Sequence, residues 1–335
     1  MNSSPGSDSY AVTRADLEAA AARLAGVAVR TPLLEAPLLN RELGFRLLVK
    51  AEPLQRTGSF KFRGAYNAIA QLDAAQRKAG VVAYSSGNHA QGVAAAASLL
   101  EVPATIVMPS DAPRIKLDNT RAWGAQVVLY DRIAEDREAI GERIARDSGA
   151  GLVRPYDDAR VIAGQATVGL EIAEQAREAA VEPAVVIAPC SGGGLMSGIA
   201  FALAGAWPDA QLWTAEPEGF DDTARSLAAG HRVEAESGAS SICDALLSPT
   251  PGELTFPILS GLGVRGASVS DDSVKRAMAA AFRHFKLVVE PGGAAALAAI
   301  LEGGPDIAGG AVICVCSGGN ADPGLFADVL LEYAA

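Results

Sequence analysis

The sequence predicts an α/β protein built on open parallel sheets, and three observations carry that reading. Short Val/Ile/Leu-rich runs alternate with Ala-rich stretches of helical length along most of the chain. The apolar runs are nearly continuous instead of alternating, the pattern of strands covered on both faces. Repeated strand–helix–strand units require right-handed crossovers and therefore parallel pairing. Composition agrees: of 335 residues, 50% are hydrophobic and 20% charged, which supplies a large core and excludes disordered or fibrous structure.

In chain order, Thr13-Arg-Ala-Asp16 opens the first helix as a capping box and Gly26 closes it. Strands are expected over Phe45–Lys50, Gly80–Ser85, Ala104–Pro109, Ala125–Tyr130, Ala184–Cys190, Gln211–Glu216 and Gly310–Cys316. Helices are expected over Asn88–Leu100, Arg114–Trp123, Ile133–Arg146, Val161–Ala179 and Asp272–Phe285. The units gather in two clusters, Gly80–Asp157 and Ala184–Asn320, with no flexible linker between them. Two closely packed domains with an active site in their cleft are therefore expected.

Charge narrows the partners. With 28 basic and 39 acidic side chains the net charge is −11, unsuited to a phosphate backbone, and aromatics at 5% leave few platforms for stacked bases. Four cysteines (Cys190, Cys243, Cys314, Cys316) are too few for a disulfide scaffold and read as small buried side chains in a reducing compartment. Cys314-Val-Cys316 lacks zinc-knuckle spacing. The first ten residues lack the features of a signal peptide, and no apolar stretch is long enough to span a bilayer. The expectation is a cytoplasmic, soluble protein that binds neither nucleic acid nor membrane.

Four loops at expected strand ends carry chemistry. Gly58-Ser-Phe-Lys-Phe-Arg-Gly64 places Lys61 in a helix's first turn, where the positive dipole end lowers a lysine's pKa. A neutral amine suits Schiff-base chemistry, although a surface lysine would read the same in isolation. Ser85-Ser-Gly-Asn-His89 gathers hydroxyls, an amide and backbone N–H groups at a helix start, which suits a carboxylate beyond the needs of an ordinary cap. Ser191-Gly-Gly-Gly-Leu195 can wrap a phosphate, but lacks the lysine of a nucleotide loop and the Rossmann spacing. Cys316-Ser-Gly-Gly-Asn320 presents the Ser317 hydroxyl. A phosphate cup, a lysine amine, a carboxylate site and a neutral hydroxyl are together what pyridoxal phosphate acting on an amino acid requires.

Ser59-Phe-Lys-Phe-Arg-Gly-Ala65, Ser85-Ser-Gly-Asn-His-Ala-Gln91, Val161-Ile-Ala-Gly-Gln165, Gly192-Gly-Gly-Leu195 and Ser317-Gly-Gly-Asn320 resemble, in family order, the fold-type II pyridoxal phosphate enzymes. The nearest group is the serine/threonine dehydratases and serine racemases, which includes the hydroxyaspartate dehydratases. The resemblance implies a tryptophan synthase β-like fold, with a large discontinuous domain over 12–80 and 158–335 and a small one over 81–157. It implies that Lys61 forms the Schiff base and Phe60 packs on the ring. Asn88 would contact the ring hydroxyl, Gly192, Gly193, Gly194 and Leu195 the phosphate, and Ser317 the pyridine nitrogen. Ser85, Ser86, Asn88 and His89 would hold the substrate carboxylate, with Ser86 the acid/base opposite Lys61. A homodimer is also implied.

The chain departs from the family's pattern in two places: Ser191 stands where a fourth loop glycine is usual, and Asp244-Ala245 replaces an Asp-Gly pair. No C-terminal regulatory domain follows the catalytic region within this sequence, so feedback control by isoleucine is not expected. Glu216-Pro-Glu-Gly-Phe220-Asp-Asp222 matches the magnesium or calcium site of racemase-like members, where Glu216, Asp222 and the Phe220 carbonyl would be ligands. A solvated acidic turn is the plainer alternative. Arg137 aligns with an arginine that contacts the second carboxylate of dicarboxylic ligands. The expected reaction is loss of water from a β-hydroxy amino acid (threonine, serine or 3-hydroxyaspartate), giving a 2-oxo acid and ammonia. A racemase is the alternative among enzymes, and a silent amino-acid-binding protein is the alternative outside them.

Overall fold

The computed structural model describes residues 10–333 except 86, 113, 306, 308 and 309. Ten strands form two sheets among these residues. The larger comprises β1 (Leu33–Glu35), β2 (Arg46–Ala51), β7 (Pro183–Pro189), β8 (Gln211–Pro217), β9 (Arg265–Val269) and β10 (Ala311–Cys316), in the order β1-β2-β10-β7-β8-β9. The smaller comprises β3 (Val81–Tyr84), β4 (Ala104–Pro109), β5 (Gln126–Tyr130) and β6 (Gly151–Leu152), in the order β5-β4-β3-β6. Pairing is parallel throughout except for β1 against β2.

The seven expected strands are all present with ends moved by one residue or less; β1, β6 and β9 were not expected. Each lacks the signature that identified the others. β1 and β6 span three and two residues, and β9 (Arg-Gly-Ala-Ser-Val) holds a single branched apolar side chain. β1 runs antiparallel to β2, with the short α2 (Pro37–Leu43) returning the chain between them.

Helices cover both faces of the large sheet. α8 (Ala159–Glu178) and α9 (Gly194–Leu203) pack on one side, α12 (Asp271–Ala280) and α13 (Pro291–Leu301) on the other, each side with its own apolar cluster. Buried between sheet and helix, α13 has its first ten residues inaccessible, which its Ala-rich sequence permits without crowding. α1 (Arg14–Leu24) lies on α8, its capping box formed between Thr13 and Asp16 and its end followed by Gly26 at φ +72°. α2 (Pro37–Leu43), α10 (Asp222–Ala229), α11 (Thr255–Gly261) and α14 (Pro323–Glu332) complete this body.

α3 (Lys61–Ala70) and α5 (Asn88–Leu99) share an apolar cluster with the smaller sheet, flanked by α4 (Ala74–Ala79), α6 (Arg114–Ala122) and α7 (Arg137–Ser148). Two expected helices begin or end differently. The segment expected as helical from Ile133 starts at Arg137, because the Asp136 carboxylate caps it by accepting from the Glu138 and Ala139 N–H groups. α12 stops at Ala280 and continues as a π turn over Ala281–Phe285, ending at Lys286 with φ +59°.

α3 approaches α8 at a glycine-to-glycine crossing. A Cβ on Gly164 would stand 2.7 Å from the Arg63 carbonyl oxygen and from the Gly64 Cα, so any side chain would push the helices apart. Beside this crossing the Arg63 guanidinium is fully buried and donates bidentately to Glu52 (2.9 and 2.8 Å) and to Glu171 (2.6 and 2.9 Å). Glu171 also accepts from buried Lys50 at 2.6 Å. This network fixes the start of α3, and with it Lys61, against β2 and α8.

Candidate active site

The functional loops leave the carboxyl ends of β2, β3, β7 and β10, where ligands collect in open parallel sheets. They surround one cavity of about 200 Å³. Phe60, Lys61, Ser85, Asn88, His89, Arg137, Gly192, Gly193, Gly194, Leu195 and Ser317 all line it. Ser86, expected as the opposing acid/base, lies outside the described residues.

Lys61 begins α3, and its Nζ donates to the Pro155 carbonyl at 2.8 Å and lies 5.1 Å from the centre of the Phe60 ring. Burial penalises its ammonium and lowers the pKa to about 8. Ser317 follows β10, with its carbonyl accepting from the Phe60 N–H at 3.2 Å, so the Ser317 loop and the lysine loop are held together.

The Ser191–Leu195 loop turns into α9 at Gly193, whose φ of +93° favours glycine. The Gly192 carbonyl is turned away to accept from the Thr255 hydroxyl (2.6 Å) and the Gly252 N–H (3.1 Å). No side chain caps α9, so its first-turn N–H groups remain available to an anion. Tyr156 fills the space beside the loop: a Cβ on Gly192 would stand 2.3 Å from its ring. The Ser191 hydroxyl donates to Ser248 at 2.7 Å, fastening the loop to its neighbour.

On the opposite wall α5 starts at Asn88, with Gly87 as its cap residue. Asn88 Nδ2 donates to Glu290 at 2.5 Å, and Asn88 Oδ1 accepts from Asn320 at 2.7 Å. Glu290 is buried and its pKa is raised to about 7 by that burial. His89 Nε2 is 2.9 Å from the Val153 carbonyl, and desolvation holds the ring neutral by lowering its pKa to about 3. It therefore serves as a hydrogen-bonding group and not as a cation. Arg137 sits 6.0 Å from the centre of the Tyr84 ring, with no salt bridge to a carboxylate among the described residues.

These features fit pyridoxal phosphate: an amine depressed toward neutrality, a glycine cradle at a helix start, and a neutral serine at the lysine's side. The chain belongs to the family of pyridoxal-phosphate dependent enzymes, whose model matches residues 24–318. It is 44% identical to an L-threo-3-hydroxyaspartate ammonia-lyase from Pseudomonas sp. over 94% of this chain and 97% of that one. Among solved structures it resembles maize serine racemase (36% identity, TM-score 0.89, 97% of this chain and 98% of that one). A T.th. threonine deaminase is similar as well (44% identity, TM-score 0.85, 92% and 98% coverage).

Glu216 and Asp222 are both buried, and Thr223, next to Asp222, donates to the Ser191 carbonyl at 3.1 Å. Glu216 accepts from the Thr223 and Ala224 N–H groups at 3.1 and 2.8 Å, while Asp222 Oδ2 has no hydrogen-bond partner among the described residues. Burial raises both pKa values, that of Asp222 to about 7, with the neighbouring Asp222 charge adding to the effect on Glu216. Phe220 is in the turn between them, its N–H donating to Pro217. No group of three or more His, Cys, Asp or Glu side chains that could hold a metal ion gathers among the described residues.

Sequence reasoning missed Tyr84, Lys116, Tyr156, Ser248 and Glu290 as cavity residues. None lies in a glycine-rich loop. The one available signal was Glu290-Pro291, an acidic residue and proline at a helix start just before a long apolar stretch. All four cysteines are free and buried, as expected, and no helix among the described residues is long and apolar enough to cross a membrane.

Proposed function

We propose that this chain is a pyridoxal-phosphate dependent ammonia-lyase that removes water from a β-hydroxy amino acid, with 3-hydroxyaspartate the substrate its site suits best. The observation that carries the substrate preference is Arg137, a guanidinium facing the cavity beside an aromatic ring and without a carboxylate of its own. A second substrate carboxylate would supply that partner. The name of the Pseudomonas relative supports the same reading.

Lys61, Phe60, Asn88, residues 192–195 and Ser317 would hold the cofactor. Held there, pyridoxal phosphate would supply an electron sink for the α-carbon of a substrate amino acid. Lys61 Nζ, near neutrality, can then accept the α-proton. Ser85, Asn88, His89 and Ser86 would orient the α-carboxylate, and a neutral Ser317 would leave the ring nitrogen unprotonated, which favours elimination over transamination. Glu216, Asp222 and the Phe220 carbonyl would bind magnesium or calcium, and the unpartnered Asp222 oxygen supports this. A large domain over 12–80 and 158–335, a small one over 81–157, a homodimer and a cytoplasmic location complete the proposal; the free cysteines support a reducing compartment.

The test is ammonia release from L-threonine, L-serine and the 3-hydroxyaspartate isomers, with D-serine assayed in parallel. Highest kcat/KM on a 3-hydroxyaspartate isomer is expected. D-serine formed faster than ammonia would make the protein a racemase, and absence of turnover on every substrate would remove the lyase assignment.

A further inference from the structure

We propose that Lys116 is a substrate-positioning residue, whose ammonium is held by Asp244 beside Gly87 so that it attracts the α-carboxylate of any amino acid entering the cavity. The inference rests on the reading of the cavity as an amino acid site.

Lys116 is on α6, beside the smaller sheet, and Asp244 follows the strands β7 and β8 of the larger one. Their side chains meet across the cavity mouth, Nζ to Oδ2 at 2.6 Å, and both line the cavity. The pair is asymmetric: the lysine side chain is 15% exposed and the aspartate 54%. The lysine side chain is therefore largely covered while its partner is half-exposed, unlike a lysine extending into water over its stem.

The nearest neighbour of a Cβ built on Gly87 is Lys116 Nζ, at 3.8 Å. The ammonium thus stands beside the residue that caps α5, whose first-turn N–H groups and dipole already present positive potential. Two like-signed sources side by side repel each other unless an anion lies between or beside them. Asp244 supplies that anion from the outer side; a substrate carboxylate would supply it from the inner side. An exposed ion pair of purely structural purpose would need neither the burial of the lysine nor its approach to the loop.

The holoenzyme can be tested with glycine, which carries the α-carboxylate but no leaving group, and with glycinamide, which lacks the carboxylate. Binding is read from the cofactor's visible absorbance, independently of turnover. For Lys116→Met, the Kd for glycine should rise on the order of 10-fold, the size of a lost charged contact, with glycinamide unchanged. Lys116→Arg should recover most of the loss, and Asp244→Asn should cost less than Lys116→Met because the ammonium remains. On serine the Lys116→Met loss should fall in KM, with kcat held within about threefold. Equal weakening of glycine and glycinamide, no weakening of either, or a larger loss in Asp244→Asn than in Lys116→Met would overturn the proposal. A protein that binds glycine through Lys116 yet releases no ammonia from any hydroxy amino acid would refute the lyase reading and leave this one standing.

Discussion

Lys61 Nζ donates to the Pro155 carbonyl at 2.8 Å, a contact between residues 94 positions apart. It holds the amine inside the cavity, where burial has lowered its pKa from 10.5 to about 8. The neutral amine is the form that attacks an aldehyde, so cofactor loading of the apoprotein should accelerate as pH rises from about 7 to about 9, with a midpoint near 8. The same shift bears on stability. Below about 8 the lysine is charged in both folded and unfolded chains, and between about 8 and 10.5 the unfolded chain binds more protons. This group's contribution to apoprotein stability therefore increases with pH across that window. Stopped-flow loading rates measure the first effect, and Lys61→Ala should abolish both loading through the amine and turnover while the protein still melts cooperatively.

Glu290 gives the opposite sign. Its folded pKa of about 7 lies above the ordinary 4.5, so the folded chain holds a proton that the unfolded chain has lost between those values. Stability should fall by an amount on the order of 3 kcal/mol as pH rises through the window, then level off above about 7. Glu290→Gln, which still accepts from Asn88, should flatten this dependence in urea titrations at about pH 5 and about pH 8. Parallel pH curves for the two proteins would contradict the assignment.

Arg63 belongs to the Ser59–Ala65 motif, yet its side chain points away from the cavity into the buried network with Glu52, Glu171 and Lys50. Removing one member of a buried ionic set leaves the others uncompensated. Arg63→Ala should destabilise the fold by about 3–5 kcal/mol in chemical denaturation. A loss under about 1 kcal/mol would mean that water relieves the stranded carboxylates.

The Glu216–Asp222 pair can be examined by thermal melting. Magnesium or calcium binding only the folded chain raises Tm by mass action, and chelator should reverse the gain. Asp222→Ala should show no response to either. A wild-type Tm indifferent to both cations and chelator would remove Glu216, Phe220 and Asp222 from the site.

Arg137 separates substrates. Arg137→Ala should lower kcat/KM for 3-hydroxyaspartate by the equivalent of about 2–4 kcal/mol, the cost of a lost charged hydrogen-bonded contact. Serine has no distal carboxylate and should lose much less. Equal losses on both would mark Arg137 as structural and return the protein to general serine/threonine chemistry.

The sequence determined the α/β class, the seven long strands and the four loops at their ends, because strand burial and loop chemistry leave local signatures: unbroken Val/Ile/Leu runs, and Gly, Ser and Asn where a strand gives way to a helix. Those signatures singled out the loops that carry Lys61, Asn88, Gly192–Gly194 and Ser317, while the roles expected of the residues came from the resemblance. Tertiary structure alone decided which of the remaining side chains share the cavity. Lys116, Tyr156 and Glu290 occupy ordinary helical or connecting sequence and acquire their surroundings from Asp244, Gly192 and Asn88, which are distant in the chain. It also decided that Arg63 ties α3 to the large sheet's helices while Arg137, at the first turn of α7, faces the cavity beside Tyr84. Nothing within a few residues of either arginine distinguishes a buried strut from a guanidinium left open to a ligand. That difference is set by the carboxylates each meets, and chain crossings bring those carboxylates together only after folding.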